Sequence, residues 1–253
     1  MRWAPALAAC LLVAACAQGP RASDRQATQR ETLQRAQIHT ELAAAYYQTG
    51  QYAVSLEEIE KALSADPEFV PALNQLGLVY LALGKEREAQ AQFQKALRLD
   101  PNDSALNNNY GMLLCRRGRD REAMRYFEKA LSNPLYQTPE VAYVNAGLCA
   151  RSQGDLARAE EFMRKARALA PDQPQALFVL ADINLGRGNA REARELIMRH
   201  LRVVNPGPDS LWLAARIEHR LGDQNALAAY GAQLNRRFPD ALQTRLFNEG
   251  KFE

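Results

Sequence analysis

The sequence predicts an all-α protein, an array of six helical hairpins, and three observations predict it. Glycine recurs at Gly50, Gly84, Gly118, Gly154, Gly188 and Gly222, at spacings of 34, 34, 36, 34 and 34. In the first five units a small residue follows five positions later: Ser55, Ala89, Ala123, Ala159 and Ala193. Prolines close most units, at Pro67, Pro101, Pro134, Pro171, Pro206 and Pro239. A fixed period of this length is the signature of a stacked repeat. Residues 73–101 show the grammar most cleanly, with Leu73, Leu76, Gly77, Tyr80, Ala89, Phe93 and Ala96 on the inner face of two helices that meet at Gly84. Glycine supplies the tight turn, the small residue lets the helices approach, and proline cannot continue a helix. One hairpin cannot bury its apolar face alone, so the units must stack.

This pattern resembles the tetratricopeptide repeat (TPR), two antiparallel helices per unit, whose arrays wind into a right-handed superhelix. A composition of 47% hydrophobic and 24% charged residues suits such a packed, water-facing array. The net charge of +3 comes from acids and bases interleaved along the helices, which reads as a solvated surface and excludes a nucleic-acid footprint. The three histidines, His39, His200 and His219, fall in different repeats without metal-ligand spacing. Neither a phosphate loop nor a nucleophile motif appears, so the expectation is a binding protein and not an enzyme. No cofactor, metal or small-molecule substrate is expected.

Residues 1–15 carry Arg2 and then a short apolar run from Leu7 to Ala15, too short to span a bilayer. They end Val13-Ala14-Ala15-Cys16, which resembles the lipobox of bacterial lipoproteins: the signal segment is cut before the cysteine, whose sulfur carries diacylglycerol. The alternative Leu7-Ala8-Ala9-Cys10 leaves almost no apolar region ahead of the cut. Cys16 is therefore the expected lipid attachment, and outer-membrane lipid the expected partner, because Ala17 stands where an aspartate favours inner-membrane retention. Residues 16–35 are polar and read as a tether, the later part of which leads into the first repeat as helix. The six repeats occupy residues 36–239. Repeat three is two residues longer than its neighbours, His200 in repeat five sits where a small residue is usual, and repeat six has Leu227 and Gly231 in place of the usual small and bulky pair. That divergence suits a capping repeat, with residues 240–253 as a last partial helix over the exposed end.

In TPR arrays the first helices line a concave surface through their second, fifth, ninth and twelfth positions. On this frame the groove includes Leu78, Leu81, Asn108, Met112, Val144, Leu148, Phe178 and Trp212. This strip is more apolar than a solvated surface needs, which is the signature of a peptide-binding groove; packing inside a tight superhelix is the other reading. Cys115 and Cys149 fall on the first helices of repeats three and four, which run side by side. They read either as a disulfide, favoured in an oxidising compartment, or as two packed thiols, and frame position does not decide between them.

Three further stretches carry a more specific resemblance: residues 107–119 (NNNYGMLLCRRGR), 130–138 (ALSNPLYQT) and 142–150 (AYVNAGLCA). With residues 209–222 (DSLWLAARIEHRLG), they resemble the type IV pilus biogenesis and stability lipoproteins of the PilW or PilF family. The resemblance covers essentially the whole chain and implies an outer-membrane pilotin with six TPRs. Such a protein binds a PilQ-type secretin subunit and supports its localisation and multimerisation. It also implies the disulfide, since relatives carry one at the matching cysteines. Met112 departs from the family, which has an aromatic residue there. A TPR lipoprotein serving barrel assembly or cell-wall synthesis would share the anchor and the groove.

Overall fold

The computed structural model describes residues 22–252. Thirteen helices and no strand occur among them: α1 (Ala22–Gln48), α2 (Tyr52–Ala65), α3 (Val70–Ala82), α4 (Glu86–Leu99), α5 (Ser104–Arg116), α6 (Asp120–Leu131), α7 (Pro139–Ser152), α8 (Leu156–Leu169), α9 (Pro174–Gly186), α10 (Ala190–Val203), α11 (Pro208–Leu221), α12 (Gln224–Arg237) and α13 (Leu242–Asn248). They divide into two compact units, one ending at Ala72 and one beginning at Leu73. Among the described residues no helix is long and apolar enough to cross a membrane. Cys16 lies outside the described residues.

In the first unit α1 and α2 form a hairpin around Ala36, Ala43, Ile59 and Ala62, all essentially inaccessible. Ser55 closes the approach by donating its hydroxyl to the Ala43 carbonyl at 2.8 Å. Residues 22–35, a tether by composition, are helical and belong to α1. The reason is local: no glycine or proline occurs between Pro20 and Gly50, and alanine, glutamine, arginine and glutamate dominate the stretch.

In the second unit each hairpin turn is made by a glycine with positive φ, 69° at Gly118 and 82° at Gly188, where a side chain would be strained. Aspartates cap three helices of this unit, α5, α8 and α12: Asp103, Asp155 and Asp223 accept from the backbone N–H of Leu106, Arg158 and Ala226. One buried station recurs on the second helices, filled by Phe93, Phe127, Met163 and Ile197. In the first helices it is met by glycine where the incoming group is largest. A Cβ on Gly111 would stand 2.9 Å from the Phe127 ring, and one on Gly147 would stand 2.8 Å from Met163. In repeat six the bulky station is Gly231, and the group packed against it is Phe247 of α13. Gly231 and Phe247 are sixteen residues apart, as are Gly111 and Phe127. Thus α12 and α13 repeat the same contact half a unit out of phase. That is how the divergent repeat closes the array.

Candidate peptide-binding groove

The first helices of the second unit, from Leu73 of α3 through α5, α7, α9 and α11, carry a continuous set of polar links. Asn109 donates to Asn74 at 3.0 Å, Asn145 donates to Asn108 at 3.0 Å, and Asn108 donates to Asn109 at 3.2 Å. The amides therefore connect α3, α5 and α7. Asp182 of α9 then accepts from Arg151 of α7 at 2.5 Å and lies 3.6 Å from Arg216 of α11. These partly exposed charges set register between helices more than they add stability.

Beside these links lies the apolar strip. Leu148 is 37% exposed, Phe178, Leu78 and Met112 are half-buried, and Leu81, Asn108 and Val144 are buried. The last three thus support the groove wall from within. Leu148 and Phe178 converge on a cleft of about 390 Å³, which Arg151, Pro174, Gln175 and Val204 also line. His200 forms its floor, with its ring 5.5 Å from that of Phe178. Its Nδ1 lies 3.0 Å from the Pro174 carbonyl, an acceptor only, so Nδ1 carries the proton and Nε2 accepts from the Ser210 hydroxyl at 2.8 Å. Burial pushes this imidazole below the ordinary histidine range and keeps it neutral. The large residue at a small position is therefore a pin between repeats five and six.

Behind the strip, Cys115 of α5 and Cys149 of α7 have Cα atoms 5.8 Å apart, and their sulfurs stand at bonding distance.

TPR family profiles match residues 36–69, 70–103, 92–125 and 150–216. The crystal structure of PilW, described as a widely conserved type IV pilus biogenesis factor, is 33% identical to this chain. The match covers 83% of the chain and 96% of PilW, with a TM-score of 0.73. The chain belongs to the PilW family. PilF of Pseudomonas aeruginosa is 26% identical over 88% of this chain and 99% of its own, with a TM-score of 0.79. The Cut9 assembly with Hcn1 shares the fold alone, at 14% identity and a TM-score of 0.75. No curated protein matches the sequence.

In this PilW-family chain Trp212, the last of the groove residues, does not face an empty surface. Its ring stacks on Phe252. The frame positions alone gave no sign of this contact. The polar links were legible in part: Asn109 and Asn145 both stand at the sixth position of their repeats, one residue outside the positions that define the groove.

Proposed function

We propose that the chain is an outer-membrane lipoprotein acting as a pilotin in type IV pilus biogenesis. On this reading Cys16 carries the lipid, and the groove holds a segment of a PilQ-type secretin subunit. The observation that carries it is the open cleft at Leu148 and Phe178, flanked by side-chain amides, in a member of the PilW family. An extended segment would place apolar side chains in the cleft. Its backbone N–H and C=O groups would exchange hydrogen bonds with Asn74, Asn109 and Asn145. Several acyl chains anchor durably where one binds marginally, and anchoring raises the local concentration of the captured subunit for multimerisation. In the oxidising periplasm the Cys115–Cys149 pair is a disulfide that fixes α5 against α7 and so holds the groove wall.

The test is capture of proteins from a membrane extract of the source bacterium, followed by mass spectrometry. The wild-type chain retains a secretin, and Leu148→Asp with Phe178→Asp loses it while the helical content stays unchanged. Recovery of barrel-assembly or cell-wall proteins in place of a secretin overturns the pilotin reading. In cells, Cys16→Ser leaves secretin monomers away from the outer membrane; normal multimers in that variant refute the anchoring role.

A further inference from the structure

The last groove position is filled by Phe252, which follows α13. Trp212 and His219 lie two turns apart on α11, at its fifth and twelfth positions, with Arg216 between them. The Phe252 ring stacks on His219 at 4.3 Å and 17° and on Trp212 at 5.5 Å and 24°, and meets Phe247 edge-on at 5.6 Å. Three rings around a fourth form a slot of aromatic size, in the offset and edge-to-face geometries that aromatic pairs prefer. Beside it a cleft of about 470 Å³ is lined by Arg216, His219 and Arg220, and among the described residues no carboxylate lines it. Arg216 donates to the Phe252 carbonyl at 3.4 Å, while its guanidinium also faces Asp182, which pairs in turn with Arg151 in the lining of the open cleft. The slot is therefore linked to the groove through Asp182.

We propose that Phe252 is a displaceable occupant of an aromatic peptide subsite. The slot takes an aromatic side chain of the partner's segment, and the Arg216 and Arg220 cleft takes an acidic group adjacent to it. This rests on reading the groove as a peptide site. Gly250, with φ of 67°, and Lys251 bond back to the Phe247 and Leu246 carbonyls, and past them Phe252 belongs to no helix and is lightly held. Among the described residues its polar bond to α11 is the long one from Arg216. The tail's own sequence, Gly250-Lys251-Phe252-Glu253, has the aromatic–acidic order that the slot and the cationic cleft select.

The chain has two tryptophans, Trp3 and Trp212, so a full chain with Trp3→Phe reports on the slot alone. The probe is the N-acetylated tetrapeptide Gly-Lys-Phe-Glu, added to that chain with and without Phe252→Ala. A tail seated about nine-tenths of the time weakens apparent affinity about tenfold. The Phe252→Ala chain therefore binds the peptide with a saturable change in Trp212 emission, and the chain with its tail intact binds about tenfold more weakly. A peptide with alanine for phenylalanine binds neither. Equal affinity in the two chains, or no binding by the Phe252→Ala chain, overturns the proposal. So does loss of helical signal in that chain, which would make Phe252 a structural member. Secretin capture separates this proposal from the functional one. Tetrapeptide binding without secretin capture sinks the pilotin reading and leaves the subsite standing. Secretin capture without tetrapeptide binding does the reverse.

Discussion

Phe178 and Trp212 hold the same fifth position on consecutive first helices, α9 and α11, yet they meet different neighbours. Phe178 opens onto a cleft, whereas Trp212 is stacked against the chain's own Phe252. Inside the array the next hairpin covers the flank of each unit and leaves the groove position free. Among the described residues no further hairpin follows α12; α13 supplies the flank through Phe247, and Phe252 folds over the groove position. A groove position defined by repeat phase is thus left open where the array continues and covered by the chain itself where it closes.

The comparison is broken most severely in the interior, by removing Cys115 and Cys149. The proposed disulfide closes a loop of 34 residues, worth about 3–4 kcal/mol in the chain-entropy account, and the double serine variant should lose that in urea titrations under oxidising conditions. Alkylation of the unreduced protein should leave both cysteines unmodified, and two labelled thiols would reject the bond. At the other end, Phe247→Ala removes a half-buried ring and should cost about 2 kcal/mol, less than full burial would imply. It should also release the tail, shifting Trp212 emission toward that of an exposed indole, whereas Phe178→Ala should leave that emission in place.

A smaller effect follows from His200. Because burial lowers its proton affinity, the unfolded chain takes up the proton first as pH falls. The stability from the neutral ring is whole above the ordinary histidine range and declines as pH drops through it. The urea midpoint should fall between pH 7.5 and 5.5, and fall less in His200→Asn; equal declines would reject the pin. The smallest change is expected for Asp182→Asn, below about 1 kcal/mol for ion pairs this exposed. Its use is geometric, since it unlinks Arg216 from Arg151 and should alter tail affinity more than stability.

Repeat phase was legible because glycine, the small residue and the bulky station each serve one contact that recurs with the period. Gly84, Ala89 and Phe93 needed no structure to be placed. The lengthened α1 was legible only in its later part, since a polar composition fits tether and solvated helix alike and gave no sign of a start as early as Ala22. Nor was the role of Gly231 legible: it reads as divergence until Phe247, from outside the repeats, is seen against it. Of the groove, Leu148 is exposed and Phe178 half-exposed, while Val144, at the same fifth position as Phe178, is covered. Phase fixes the direction of a side chain but not how closely the next helix approaches.

The Phe252 contact also makes the groove a track with a terminus. From α3 to α7 side-chain amides recur, so a bound strand could slide by one repeat and find similar partners there. A unique stop at α11 removes that degeneracy. A segment whose aromatic residue reaches it is fixed in register and polarity, and its reach back to Asn74 sets the length of sequence it must offer.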